Sequence, residues 1–229
     1  EGKGIANTLK RNKKNILNND EEALKLCIKP GVTKSLESKK AYDIYSNKGL
    51  GLFMKVLLLN GSPHPQGSTK DMVNAFKKGA ESAGHIVDVV DVCKKKIGGC
   101  LACEYCHSKG HGECIQKDDM QEVYNLLKEA EMLVIASPIY YHGISGQLKC
   151  VIDRFYSAAY PRGPKNLKKV AMILSSGDAN MYEGALFSFK GDFLDYLGLE
   201  NMGVFTAHGS ENKSEKKREE LRAFGASLR

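Results

Sequence analysis

Five of the seven cysteines in this 229-residue chain fall between positions 93 and 114. Cys100, Cys103 and Cys106 follow the spacing C-x2-C-x2-C, and Cys114 comes after a stretch that carries Gly110 and Gly112. Three thiolates so spaced can wrap one metal cluster, with the fourth returned by the glycine-rich loop. The same residues allow other chemistry. Four thiolates suit zinc, with His107 or His111 able to replace one. A reversible disulfide or buried thiols would also use this spacing. Cys27, Cys93 and Cys150 lie outside the cluster and are expected to be structural.

A second group of residues is suited to binding an anion. Lys55–Asn60 is a nearly unbroken apolar run, the pattern of a strand buried on both faces. It runs into Gly61-Ser-Pro-His-Pro-Gln-Gly-Ser-Thr69, where Ser68 or Thr69 can cap a helix with Met72, Val73, Phe76 and Ala80 on its apolar face. A strand, a hydroxyl-rich loop and a helix N-terminus together make a phosphate site, because the first-turn N–H groups and the positive end of the dipole face the loop.

The elements that must position both groups alternate regularly from Met54 onward. Strands are expected at Lys55–Asn60, Ile86–Asp91, Met132–Ala136, Lys169–Ser175 and near Asn201–Ala207. Helices are expected between them. One is capped by Asp118 or Asp119, one carries Leu148, Val151, Ile152 and Phe155, one runs through Leu186, Phe189, Phe193 and Leu197, and the last covers about Ser214–Leu228. Strands alternating with helices predict an α/β fold, a doubly wound five-stranded parallel sheet covered on both faces. With strand order 2-1-3-4-5, three polar loops (Gly61–Thr69, Ser137–Gly146 and Ser175–Asp178) meet at the carboxyl ends of the strands, where such sheets bind ligands.

Residues 1–53 read differently. They hold 11 Lys/Arg against 6 Asp/Glu, a large part of the chain's net charge of +7, and too few apolar residues for a core of their own. A basic, largely helical extension is expected there, with helices around Ile5–Leu17, Asp20–Ile28 and Thr33–Ser46, and the core domain is expected to span 54–229. That domain is nearly neutral, so its charge does not argue for a nucleic-acid-binding enzyme, and no nucleic-acid partner is expected. No apolar run is long enough to cross a bilayer and no signal peptide opens the chain, so a cytoplasmic protein without a membrane partner is expected.

Val56-Leu-Leu-Leu-Asn-Gly-Ser-Pro63 with Gly67-Ser-Thr69, Cys114-Ile-Gln-Lys-Asp-Asp-Met120, and Ala136-Ser-Pro-Ile-Tyr-Tyr141 with Gly143-Ile-Ser-Gly-Gln-Leu-Lys149 and Asp153-Arg154 resemble the flavodoxin-like NADPH-dependent FMN reductases. The nearest branch is the iron–sulfur flavoproteins. The resemblance covers residues 54–229 and implies FMN. Its phosphate would sit on Ser62, Ser68 and Thr69, in the loop that also holds Pro63, His64 and Gly67. Ser137, Pro138, Ile139, Tyr140, Tyr141 and Gly143 would line the isoalloxazine ring, and Ser175, Ser176 and Gly177 would close the other side.

The resemblance further implies a 4Fe–4S cluster on Cys100, Cys103, Cys106 and Cys114. It implies NAD(P)H or a reduced carrier such as ferredoxin as electron source, a small-molecule acceptor such as a quinone, and a homodimer or homotetramer. His142, in the flavin loop, is a candidate for a catalytic role. Two other functions use the same residues: an electron carrier without a substrate of its own, and a non-enzymatic zinc-binding module.

Overall fold

The computed structural model describes residues 53–229. The helices expected before residue 53, and Cys27, lie outside the described residues. The unit described below is formed by Met54–Ala83 and Val87–Leu228.

Five strands, β1 (Lys55–Asn60), β2 (Ile86–Asp91), β3 (Met132–Pro138), β4 (Lys169–Ser176) and β5 (Glu200–His208), form one sheet in the order β2-β1-β3-β4-β5. Its central pairings are parallel, with Val56 opposite Met132 and Ala136 opposite Ile173. The strand order is the one expected from the sequence, and it fixes a crevice where β1 and β3 lead off in opposite directions across the sheet.

Two hydrophobic layers cover the sheet, and the side chains of β1 alternate between them. Leu57 and Leu59 join Met120, Val123, Leu127, Leu148 and Val151 on one face. Val56 and Leu58 join Met72, Val73, Phe76 and Leu221 on the other. The first layer belongs to helices α2 (Met120–Glu129), α3 (Gly146–Asp153), α4 (Phe155–Ala158) and α5 (Glu183–Phe189). The second belongs to α1 (Ser68–Ser82) and α6 (Glu215–Ala226). Helices α1 and α6 touch backbone to backbone: a Cβ on Gly79 would lie 2.0 Å from the Arg222 carbonyl oxygen, and one on Gly225 would lie 2.4 Å from that of Phe76.

Three local expectations are corrected. Neither Ser68 nor Thr69 caps α1: the N-cap is Gly67, and no side chain bonds the first turn. The helix expected to run through Phe155 is broken between Asp153 and Phe155, giving α3 and α4. The helix expected through Leu197 turns π-helical over Lys190–Tyr196, which carries Phe193 against Phe189 and Phe155 while Leu186 faces outward at 37% exposure.

Candidate functional site: three loops and a cysteine segment

The first loop leaves β1 at Asn60 and is braced from beneath. The Asn60 amide donates to Asp91 at 2.9 Å, and its carbonyl oxygen accepts the Ser62 N–H at 3.2 Å. Lys70 and Lys94 also reach the Asp91 carboxylate, at 2.7 and 3.0 Å. Burial alone would push Asp91 upward. The hydrogen bonds from Lys70, Asn60 and Lys94 outweigh it and hold the carboxyl at about 2. Ser62 Oγ accepts the His64 N–H, and the Gly67 N–H returns to the His64 carbonyl at 3.2 Å. Pro63 and His64 are exposed, whereas Ser62 is buried and Gly67 and Ser68 are half-buried. No side chain occupies the first turn of α1, so the N–H groups of Ser68, Thr69 and Lys70 face the loop. Gly61 lets the loop lie against α3, since a Cβ there would stand 2.7 Å from Ser145 Oγ and 2.8 Å from Leu148 Cβ.

The other two loops join the first through short polar contacts. Thr69 and Ser175 share a hydrogen bond between their hydroxyls at 2.7 Å. The Ile139 N–H donates to the Ser175 carbonyl at 2.7 Å, and the Gly61 N–H to the Ala136 carbonyl at 2.8 Å. Ser137 is buried; its Oγ donates to the Pro138 carbonyl and accepts the Ser145 N–H. Ser145 Oγ in turn caps α3 by accepting from Leu148. Ser176 Oγ donates toward the Asp178 carbonyl and Tyr182, and Gly177 is tied to Gly209 by a backbone bond of 3.0 Å.

Between β3 and α3 the chain makes a tight reversal. Tyr140 and Gly143 exchange backbone hydrogen bonds of 2.9 and 3.0 Å, and the residues between them, Tyr141 and His142, take left-handed φ values of 47° and 62°. Non-glycine residues rarely adopt that conformation, and a bulky aromatic least of all. It holds Tyr141 fully exposed at the tip, beside the exposed Tyr140. His142 is exposed and has no hydrogen-bond partner among the described residues.

The four clustered thiols also come together. Cys100, Cys103, Cys106 and Cys114 line one cleft with Tyr124 and Arg154. Burial, together with the other three sulfurs, pushes the Cys106 thiol up. The loop bends through left-handed residues at Ala102, Glu104, His111 and Gly112, and the Ala102 N–H donates to Cys100 Sγ at 3.4 Å. Among the described residues, no three His, Cys, Asp or Glu side chains are gathered closely enough to hold one metal ion. The sulfurs stand around a cleft. His107 is stacked on Tyr156 at 3.8 Å between ring centroids, and its Nε2 bonds the Tyr156 carbonyl. Of the remaining cysteines, Cys93 donates to the Gly61 carbonyl at 3.3 Å, and half-buried Cys150 lies beside Gly99.

Arg154 is the residue whose role the motifs did not reveal. It sits where the helix expected over this stretch breaks, 1% exposed, with its guanidinium turned to the cysteine segment. Nη1 pairs with Asp118 and reaches the Gly98 carbonyl; Nη2 reaches Cys114 Sγ and the Gln116 carbonyl. An arginine in a run of helical core residues was the available signal.

The family model for NADPH-dependent FMN reductase matches residues 54–211. The chain belongs to the NADPH-dependent FMN reductase family. Within reach of this family, the chain is 41% identical over 129 residues to an iron-sulfur flavoprotein of Methanocaldococcus jannaschii, an alignment covering 56% of this chain and 64% of that protein. It is 40% identical over 101 residues to an iron-sulfur flavoprotein of Archaeoglobus fulgidus, covering 44% of this chain and 45% of that one. The matched stretch thus spans between about half and two thirds of these relatives. A solved NAD(P)H:quinone oxidoreductase from Methanothermobacter marburgensis shares the fold, with a TM-score of 0.60 and 21% identity over 76% of this chain and 92% of that one. Among the described residues, no helix is long and apolar enough to cross a membrane.

Proposed function

We propose that this FMN reductase family member is an oxidoreductase that draws electrons from NAD(P)H and delivers them to a small acceptor such as a quinone, with FMN in the three-loop crevice and a 4Fe–4S cluster on Cys100, Cys103, Cys106 and Cys114. The observation that carries the flavin assignment is the junction of loops at Thr69, Ser175 and Ile139. It leaves the first-turn N–H groups of α1 facing a loop that a phosphate can enter. FMN, when bound, accepts a hydride and releases electrons in ones or twos.

The chain's own residues provide the binding. Ser62 and Ser68, with the first-turn N–H groups, hold the phosphate, and Lys70 adds positive charge to that turn although it is partly neutralised by Asp91. Thr69 contributes chiefly by fixing Ser175, since its hydroxyl is already bonded there. Pro138, Ile139, Tyr140, Tyr141 and Gly143 form the wall for a flat ring, and the strained turn keeps both tyrosines out of the core and available to it. Ser176 and Gly177 bound the opposite side.

A 4Fe–4S cluster takes one thiolate per iron, and the four thiols that line one cleft supply that number. Such a cluster supplies one-electron exchange. The Ala102 N–H and the Arg154 guanidinium, which already reach Cys100 and Cys114, are the second-sphere donors that tune such a site. The names of the two archaeal relatives support the same reading. A homodimer or homotetramer completes the proposal, with the exposed Tyr140 and Tyr141 near the subunit boundary.

The test is absorption spectroscopy with iron and zinc analysis on protein purified without oxygen, followed by NADH, NADPH and quinone assays. Flavin bands with about four irons per chain and pyridine-nucleotide-dependent quinone reduction are expected. Flavin and iron without that activity would replace the enzyme by an electron carrier served by ferredoxin. Failure to take up FMN would refute the flavin assignment, and zinc in place of iron the cluster.

A further inference from the structure

A second cleft, of about 720 Å3, opens behind the cysteine segment and is used by none of the chemistry described so far. Its size is that of a pocket for a small organic molecule. Cys114, Tyr124 and Ser157 line both this cleft and the thiol cleft, so the two share a wall.

The cleft is built by specific bonds between its walls. One wall is the segment from His111 to Lys117. Ser157 Oγ donates to the Gly112 carbonyl at 2.6 Å and so ties that segment to α4. The facing wall is the segment Tyr160–Asn166. Asn166 Nδ2 donates to the Lys128 carbonyl at 3.1 Å and so ties it to the end of α2. That bond also satisfies one of the carbonyls that a helix end leaves open. The apolar lining comes from Ala158, Pro164 and Tyr160, all half-buried.

The charge around this lining has one dominant sign. Lys117, Lys128 and Lys165 line the cleft, against the single carboxylate of Glu113, which lies 3.6 Å from Lys117. Lys128 and Lys165 make no ion pair among the described residues. Two uncompensated ammonium groups beside an apolar and aromatic lining match a ligand with a flat ring at one end and an anionic group at the other. The amides of Gln121 and Asn125 add polar contacts at the mouth.

We propose that this cleft is a binding site for a small aromatic acid, whose ring packs against Tyr160 and Pro164 and whose carboxylate, sulfonate or phosphate is held by Lys128 and Lys165. The site stands apart from the flavin loops and shares Cys114 with the thiol cleft.

The experiment is isothermal titration of the full chain, saturated with FMN, with naphthalene-2-sulfonate as the anionic probe and 2-naphthol as its uncharged counterpart. Saturable 1:1 binding of the sulfonate is expected, weakening as salt is raised. The K128E/K165E double variant, which changes only exposed side chains, is expected to bind it at least about tenfold more weakly. Ala158→Phe, which fills the cleft without altering charge, is expected to lose binding too. Absence of saturable binding would overturn the site, as would equal affinity in the double variant, undiminished binding in Ala158→Phe, or equal affinity for 2-naphthol. A chain that fails to take up FMN fails the oxidoreductase reading by its flavin content, and titration of that same flavin-free chain still answers for the cleft.

Discussion

Arg154 donates to the sulfur of Cys114 at 3.5 Å while the other arm of its guanidinium pairs with Asp118 and reaches the Gly98 carbonyl. Gly98 and Asp118 flank the cysteine segment on either side and are themselves joined by the Gly98 N–H to the Asp118 carboxylate at 3.1 Å. One buried side chain thus holds both ends of the segment and touches one of its thiols. Burial pushes Asp118 upward, and the hydrogen bonds from Arg154, Gly98 and Met120 together outweigh it and leave the carboxyl below its usual range.

Arg154→Met therefore leaves Asp118 without its partner and the segment without its closure. Removing one partner of a fully buried pair costs about 3–5 kcal/mol. Asp118 keeps 22% of its side chain exposed, so a loss of about 2–3 kcal/mol is expected in urea unfolding. Arg154→Lys restores a charge but not the planar fork, and its midpoint is expected between the two. A midpoint for Arg154→Met equal to the parent's would show that the guanidinium does not hold the segment.

The turn at Tyr141 gives a prediction in which stability and binding move apart. A left-handed non-glycine residue costs about 1–2 kcal/mol, while glycine costs about 0.5–1 kcal/mol more in chain entropy. Tyr141 buries nothing, so Tyr141→Gly is expected to gain up to about 1 kcal/mol in thermal or urea unfolding. Loss of the ring is expected to weaken FMN by about fivefold in equilibrium dialysis, equivalent to roughly 1 kcal/mol. Flavin affinity equal to the parent's would remove Tyr141 from the ring wall.

Asp91 carries an acid dependence. Its folded-state value of about 2 lies below the ordinary carboxyl value of 3.8, so the unfolded chain binds more protons between the two. The stabilisation is present above about pH 4 and is lost as pH falls toward about 2, with a size on the order of 2 kcal/mol. Asp91→Asn is expected to be less stable than the parent at pH 7 by that amount and to flatten the stability slope between those limits. Urea titrations at stepped pH measure both; an unchanged slope would refute the assignment.

Much of the architecture was legible because the strands announce themselves. β3 is buried throughout and β1 and β4 from their second residue on, and an unbroken apolar run such as Met132–Ala136 has few other uses. The loops at their carboxyl ends followed from the strand order, and the thiol cleft from cysteine spacing. What escaped notice depends on side chains acting across elements. Periodicity places Arg154 on a continuing helix and gives no sign that it turns inward and interrupts it. Asn60, Lys70 and Asp91 are ordinary polar residues in sequence, and only the neighbouring strands β1 and β2 make them a brace under the first loop. Thr69 read as a helix cap, yet its hydroxyl is taken by Ser175, 106 residues away.

The order of the strands also sets the order of events on the ribosome. β1 lies inside the sheet, and its far neighbour is β3: the Lys55 N–H is bonded to the carboxylate of Glu131, 76 residues downstream. A nascent chain therefore emerges with its central strand lacking one side until residue 138 is clear of the exit tunnel. All four clustered thiols have emerged by then, while Arg154, which closes their segment, is still inside the tunnel. During that interval the four thiols ride on an open loop, exposed to oxidation before the side chain that closes their segment has emerged.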